Sequence, residues 1–282
     1  MIKIVTDSTS DIPPDIARQL GICVVPVVIV TDAVSHVDGV TLTRQQFYDS
    51  LETYHDVPRT ASPPMETFAN AFRAAQQEGA TDIIAIHLNQ RFSVLYSVVD
   101  LAAREVGHEG IRVHVIDSQT LSMGLGWLVI VAARMARGGA TVSEITRSIE
   151  AMRAQAYIYA LVDNIKYLSK SGRANALTAG IGDLLQLKVL LLVHAGEVTQ
   201  IDRIRTHARG VTRLIEVARQ HQQVQHLSLL YTSNGMTSEI EMLKTRLSDL
   251  APHDNVFTVQ VAPVIGAHVG PHTIGLAMFA DV

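Results

Sequence analysis

The chain has 282 residues, of which 48% are hydrophobic but only 5% aromatic, so it can bury a sizeable aliphatic core in one large or two ordinary domains. The formal net charge of -4 is spread along the sequence, which argues against nucleic acid or an anionic membrane surface as a partner, since both attract concentrated Lys and Arg. No apolar run approaches the roughly 18 residues of a membrane helix, so stable membrane insertion is not expected.

Short β-branched runs alternate with helix-length amphipathic segments in the first half of the chain, which predicts a mostly parallel sheet covered by helices. Thr43 and Ser62 are predicted to begin helices, because a hydroxyl can accept from free N–H groups and because Pro63 and Pro64 suit a first turn. The predicted strands are IKIV (2–5), VVPVVIV (24–30), DIIAIHL (82–88) and RVHVID (112–117), and the predicted helices span 13–20, 43–54, 64–78, 92–106 and 122–137.

The same rhythm resumes after a connecting helix predicted at 143–155, so we expect two α/β domains, 1–155 and 156–282. Their sheets are expected to be mostly parallel or mixed, with the ligand in a cleft between the domains. The second domain is predicted to contain strands IYALV (158–162), KVLLLV (188–193), HLSLLY (226–231), FTVQV (257–261) and TIGLAMFA (273–280), a hairpin at HAGEVTQI (194–201), and helices at 207–221 and 236–249.

Several common site motifs are absent. No lysine follows a glycine, which excludes a P-loop, and there is no GxSxG nucleophile elbow. Gly124-Leu-Gly126 lacks the third glycine of a dinucleotide fingerprint. The one cysteine, Cys23, cannot form an internal disulfide and MIKIVTDST has no signal-peptide core, so we expect a cytoplasmic protein.

The stretch HVGPH places His268 and His272 four residues apart, the spacing of two metal ligands on one helical face. Gly270 and Pro271 lie between them, however, and neither is tolerated well inside a helix. A catalytic zinc site also usually needs a third protein ligand, and no spacing indicates one. We interpret His272 as a surface loop residue.

Hydroxyl-rich segments follow the predicted strands: TDSTSD, NQRFS and DSQTLS, together with RTASPP before the third helix. Each segment is explained locally by turn and cap chemistry. Together, at the carboxyl edge of an α/β sheet, they can bind an anionic head group, yet hydroxyls alone catalyse little. The pattern therefore favours recognition over catalysis.

The chain resembles the DegV family over essentially its whole length. Seven motifs occur in that family's order: KIVTDSTSDIP, RTASPP, NQRFSVLYS, VIDSQTLSMGLG, YLSKSGR, the stretch from LLQLKVLLLV to RIRT, and PVIGAHVGPHTIGLA. The resemblance implies a non-enzymatic acyl carrier without its own nucleotide site, cofactor or metal. It would bind a long-chain fatty acid such as palmitate, stearate or oleate in a tunnel between two α/β domains. It would then present the carboxylate to a separate ATP-dependent fatty acid kinase, a step that leads to phospholipid synthesis.

The resemblance also implies the site residues. Thr60 and Ser62 of RTASPP, Ser93 of NQRFS and His268 of GAHVGP would bind the head group. Arg205 of RIRT would lie on the side where the kinase docks, and His268 would take part in phosphoryl transfer.

Some positions depart from the family pattern, and they leave the head-group chemistry open. Two other functions remain: a small-ketone kinase subunit that captures dihydroxyacetone on His268 or His87, and a metal hydrolase that uses His268 and His272. The departures are Asn89-Gln90, Val94-Leu95, Ala61, Lys188-Val189 and His272.

Overall fold

The computed structural model describes residues 1–172 and 187–281, so Arg173 of YLSKSGR and residues 184–186 of LLQLKVLLLV lie outside the described residues. The backbone groups into two compact units, the first formed by residues 1–28 and 61–154 and the second by residues 29–60 and 155–282. The predicted boundary at 155 falls at the junction of these units, whereas residues 29–60 group with the second unit rather than with the rest of the N-terminal half.

The elements follow the alternating pattern of the sequence. The strands are β1 (Ile2–Asp7), β2 (Cys23–Val25), β3 (Val28–Thr31), β4 (Val34–Val37), β5 (Arg59–Ala61), β6 (Asp82–His87), β7 (Val113–Asp117), β8 (Ala156–Val162), β9 (Lys188–His194), β10 (Glu197–Ile204), β11 (Gln222–Tyr231), β12 (Val256–Gln260) and β13 (Ile274–Asp281). The helices are α1 (Pro14–Leu20), α2 (Arg44–Ser50), α3 (Met65–Gln77), α4 (Leu95–Gly107), α5 (Ser122–Arg137), α6 (Val142–Arg153), α7 (Lys166–Lys170), α8 (His207–Ala218), α9 (Thr237–Arg246) and α10 (Pro263–Val269).

The first unit contains a four-stranded, all-parallel sheet in the order β2-β1-β6-β7. Its central strand β6 is buried from Ile83 to His87, as expected of a parallel strand that is covered on both faces. Helices α3 and α4 pack against each other, while α5 packs on β1 and α6. The predicted parallel sheet is confirmed.

The second unit contains a six-stranded mixed sheet in the order β10-β9-β8-β13-β11-β12, in which only β11 and β12 pair in parallel. The predicted hairpin HAGEVTQI is confirmed as β9 and β10. Its turn residues Ala195 and Gly196 have φ values of 49° and 78°, the positive values that a two-residue hairpin turn requires. The expectation of α/β units with parallel or mixed sheets is therefore met.

Residues 29–60 contribute a small sheet, β4-β3-β5, that the sequence pattern did not predict. The run VVPVVIV was expected to form one strand, but Pro26 divides it into β2 and β3, because proline cannot donate a ladder hydrogen bond. The turn from β3 to β4 is Asp32-Ala33, with φ values of 45° and 67°, and it lacks the Asn-Gly or Asp-Gly signature of a tight hairpin. For this reason the hairpin of β3 and β4 was not predicted from the sequence.

The two predicted helix starts have different outcomes. Thr43 caps α2 through a complete capping box with Gln46, as predicted. Ser62 does not cap α3: the helix begins at Met65 after an N-cap Pro64, and the Ser62 hydroxyl donates to the carbonyl of Pro63 at 3.0 Å. None of the helices in the described part of the chain combines the length and the apolar character that crossing a bilayer requires.

Candidate functional site: a threonine and histidine pair in the second unit

His268 lies on the short helix α10, which begins with Pro263 shortly after β12 and ends at Val269, with Gly270 as its C-cap. Gly270 has a φ of 76°, a backbone conformation that L residues rarely adopt, so the position of the helix end is fixed by this glycine. His268 is half buried, whereas His272 lies beyond the helix and is exposed. His268 and His272 therefore do not share a helical face.

Thr60 meets His268 within the second unit. The hydroxyl Oγ1 of Thr60 lies 3.1 Å from Nε2 of His268, a hydrogen bond between residues 208 positions apart. Thr60 is the middle residue of β5, and the alternation of a strand exposes its neighbours Arg59 and Ala61 while Thr60 is half buried. Two of the predicted head-group residues are thus brought together.

Ser62 and Ser93 belong to the first unit, and their hydroxyls differ in hydrogen bonding. Ser93 Oγ accepts the backbone N–H of Leu95 at 3.2 Å, at the start of α4, which leaves the Ser93 proton available to another acceptor. The Ser62 proton is already donated to the Pro63 carbonyl. In this conformation Ser93 is the better donor to an anion.

Asn89 builds the turn that carries Ser93. The Asn89 side-chain oxygen Oδ1 accepts the N–H of Arg91 at 2.9 Å, and the Asn89 backbone carbonyl accepts the N–H of Phe92 at 3.0 Å. Asn89 is also almost fully buried. The departure from the family pattern at this position therefore supplies an Asx turn, a local role typical of Asn.

Arg205 lies at the end of β10 and lines an open groove of about 920 Å³. Arg213 pairs there with Asp202 and Glu216 at 3.0 and 3.1 Å. Arg203, Arg205 and Arg209, by contrast, have no carboxylate within 4.0 Å among the described residues. The groove lining comprises Asp202, Arg203, Ile204, Arg205, Ala208, Arg209, Thr212, Arg213 and Glu216.

Arg205 was the only groove residue predicted from the sequence, although the spacing of the arginines indicated more. Arg203 is near the end of β10 and Arg205 directly follows that strand, while Arg209 and Arg213 are four apart on α8 and so share a helical face. The excess of arginine over carboxylate gives the groove a positive charge in a chain whose net charge is negative.

The segment after Arg205 is held in place by Asp163. Its carboxylate accepts from His207 Nδ1 at 3.0 Å and from Lys188 Nζ, which joins the ends of β8 and β9 to the start of α8. Burial raises the pKa of the Asp163 carboxyl, but the hydrogen bonds from His207 and Lys188 outweigh burial and hold that pKa below its ordinary value. These hydrogen bonds of Asp163 hold the start of α8, two residues after Arg205, in place.

His87, the alternative nucleophile, is fully buried in the first unit. Its Nδ1 lies 2.8 Å from Oδ2 of Asp7, which is equally buried, and its ring makes an edge-to-face contact with Phe68. A ring without exposed surface offers no approach to a ketone, so this geometry favours a structural role for His87.

The metal and nucleotide alternatives also find little geometric support. Within residues 1–172 and 187–281, no group of three or more His, Cys, Asp or Glu side chains could hold a metal ion. His272 Nε2 lies 3.9 Å from Glu52, with a largely exposed ring. Gly126 lies inside α5, where an added Cβ would be 2.5 Å from the Ser10 carbonyl oxygen, so this glycine allows close packing rather than a phosphate-binding turn.

Comparison with known proteins gives a family match over the whole chain. A protein-family model described as "Uncharacterised protein, DegV family COG1307" matches residues 1–281. A DegV domain-containing protein of Deinococcus radiodurans is 32% identical over 281 residues, which cover 98% of each chain.

Solved structures share the fold. A DegV family protein from Thermus thermophilus, described for its fatty acid binding, has a TM-score of 0.87 at 26% identity, with 99% of each chain covered. A stearic-acid-binding protein from Eubacterium ventriosum has a TM-score of 0.89 at 21% identity, with 99% of this chain and 98% of that chain covered, and at this identity the likeness extends to the fold alone.

Proposed function

This chain belongs to the DegV family, and we propose that it binds a long-chain fatty acid whose carboxylate meets Thr60 and His268. The observation that carries the proposal is the 3.1 Å hydrogen bond between these two side chains, since it joins two motifs that are far apart in sequence. A fatty-acid-binding relative from Thermus thermophilus with the same fold supports it.

The head group would be recognised by hydrogen-bond donors. A carboxylate only accepts hydrogen bonds, whereas the Thr60 hydroxyl and an imidazole N–H can donate. The pair already holds its polar atoms at hydrogen-bond distance, so an entering carboxylate oxygen could replace one partner without a large rearrangement. The free proton of Ser93 is a third candidate donor, while Ser62 would first have to release the Pro63 carbonyl.

The hydrocarbon chain would supply most of the affinity. Each buried methylene contributes roughly 0.8 kcal/mol, so about fifteen of them give on the order of 10 kcal/mol before the costs of association. Palmitate, stearate and oleate all fall in this range. The tunnel between two domains in which this hydrocarbon chain would lie stays a prediction.

We further propose that the protein presents the bound acid to a separate ATP-dependent kinase. A carboxylate oxygen would attack the γ-phosphorus of ATP, the bond to the bridging oxygen would break, and an acyl phosphate and ADP would form. His268 would steady the developing charge at the head group. The arginines around Arg205 form a surface that suits an acidic partner, and the Asp163 network holds that surface in place.

The test of binding is native mass spectrometry of protein purified without detergent, followed by extraction of bound lipid. We expect one fatty acid per chain in the wild type and in Thr258→Val, a control at an exposed threonine of β12, and weaker occupancy in Thr60→Val. A wild-type mass without lipid, together with no uptake of added palmitate, stearate or oleate, would overturn the proposal.

A further inference from the structure

Gly266 inside α10 and Gly270, which caps the C-terminal end of α10, are packed directly against tyrosine rings. An added Cβ at Gly266 would overlap the Tyr48 hydroxyl and lie 2.8 Å from Tyr48 Cζ, and one at Gly270 would overlap the Tyr167 ring, 2.9 Å from Cγ. Real Cβ atoms do not approach other atoms so closely, so only a residue without a side chain fits at either position. The helix backbone itself is therefore in contact with both rings.

Both rings are buried and belong to helices other than α10. Tyr48 is buried on α2, contacts Phe47 edge to face at 5.1 Å, and donates its hydroxyl proton to the carbonyl of Val261 at 2.8 Å. Tyr167 is buried on α7, and burial, followed by the charge of Glu52, raises the pKa of its phenol. The raised pKa keeps the Tyr167 phenol uncharged at neutral pH.

His268 lies on the opposite side of α10 from Gly266, the glycine that contacts Tyr48. At 100° per residue, residue 268 is about 200° around the helix from Gly266, whereas Gly270 lies just beyond the last helical residue, Val269. That opposite side is where His268 meets Thr60. A displacement or rotation of the helix at the tyrosine contacts would move the His268 ring relative to the Thr60 hydroxyl.

We propose that Tyr48 and Tyr167 are positioning residues, which clamp α10 at Gly266 and at its C-terminal cap Gly270 and so set the position of the His268 ring. The clamp acts in the free protein. The proposed function enters only in the statement that the ligand of His268 is a fatty acid carboxylate. Tyr48 acts through its hydroxyl on Val261 and through its contact with Gly266, and Tyr167 acts through its ring on Gly270.

The test compares the NMR signals of the His268 ring among several variants. Protein labelled with ¹⁵N-histidine reports the ring nitrogens of His268, whose signals are assigned by their loss in His268→Gln. Tyr48→Phe removes only the hydroxyl, Tyr167→Leu removes the ring, and Gly266→Ala adds the clashing methyl. Tyr157→Phe, a change at another buried tyrosine of the same unit, is the control.

We expect Tyr48→Phe, Tyr167→Leu and Gly266→Ala each to shift the His268 ring signals, and to weaken palmitate binding by about 3- to 10-fold, the effect of one ordinary hydrogen bond. Tyr157→Phe should leave both readouts unchanged even if it lowers Tm. Because Gly266 and Tyr48 touch, Gly266→Ala and Tyr48→Leu should also be non-additive in palmitate affinity when combined.

The inference is overturned if Tyr48→Phe and Gly266→Ala lower Tm but leave both the His268 signals and palmitate affinity at the wild-type values. Tyr48→Phe is the decisive variant should the others fold poorly, since it removes a single atom. A wild type that binds no palmitate contradicts the proposed function alone, because the ring signals of the free protein still report on the clamp.

Discussion

The hydroxyl of Thr60 lies 3.1 Å from Nε2 of His268, although the two residues are separated by 208 positions. A strand of three residues carries Thr60 and a helix of seven carries His268. Neither element has many internal hydrogen bonds, so the pair depends on tertiary packing within the second unit. Mutations in the surrounding packing are therefore expected to change the distance between Thr60 and His268.

The first prediction concerns Thr60. Thr60→Val keeps the shape of the side chain but removes the hydroxyl, and hydrogen bonds to charged groups contribute about 1.5–3 kcal/mol. We expect palmitate affinity, measured by titration calorimetry on delipidated protein, to fall about 10- to 100-fold. Thr60→Ser, which retains the donor, should stay within about 3-fold of the wild type. Equal affinities for Thr60→Val and the wild type would remove Thr60 from the head-group site.

The second prediction separates partner docking from lipid binding. Arg205→Ala removes a groove arginine that has no carboxylate within 4.0 Å among the described residues, so its charge is free to meet a partner. We expect palmitate affinity to be unchanged, but acyl phosphate formation with a bacterial fatty acid kinase and ATP, trapped with hydroxylamine, to fall at least about 10-fold, as for a lost charged contact. The effect should shrink as salt rises.

The control for this experiment is Arg246→Ala, which removes an exposed arginine of α9 that does not line the groove. It changes the net charge by the same amount and should leave the rate of acyl phosphate formation unaltered. If Arg246→Ala and Arg205→Ala slow the reaction equally, overall charge rather than the groove determines docking.

The sequence predicted those parts of the fold that have strong local signals. Helix α5 has the predicted bounds 122–137, because a long apolar segment is followed by Gly138-Gly139. The hairpin of β9 and β10 was predicted at HAGEVTQI, and the structure places Ala195-Gly196 in its turn. In both cases periodicity and turn chemistry agree over a dozen residues or more.

The missed elements are short. Helices α7 and α10 have five and seven residues, and β4 and β5 have four and three. Elements this short contain too few residues to show a hydrophobic period, so tertiary contacts such as those of Tyr48 and Tyr167 determine their structure. The pairing of Thr60 with His268 likewise has no local signal, and it was expected only from the resemblance to a family.

A third prediction uses two glycines with different surroundings. At Gly126 an added Cβ would lie 2.5 Å from the carbonyl oxygen of Ser10, which is backbone and cannot move aside. At Gly107, the last residue of α4, nothing lies within 4 Å. We expect Gly126→Ala to lower the free energy of unfolding by about 1–3 kcal/mol through overpacking, and Gly107→Ala to raise it by about 0.5 kcal/mol through helix propensity. Urea titration of both variants measures these changes, and a stable Gly126→Ala would mean that α5 can shift away from the loop after β1.

The last prediction concerns pH and His221. Burial, followed by the nearby charge of His194, lowers the pKa of His221, whose Nε2 lies 2.8 Å from the Tyr159 hydroxyl and whose ring contacts Tyr157. The folded pKa is then below the unfolded value of about 6.5, so the unfolded chain binds the proton more readily. The stability contributed by neutral His221 is present above about pH 6.5 and is lost as the pH falls through the folded pKa.

We expect Tm to fall more steeply between about pH 7 and pH 5 in the wild type than in His221→Gln, which cannot titrate. Parallel acid profiles for the two proteins, or an NMR titration of His221 at its ordinary pKa, would show that burial does not penalise this charge.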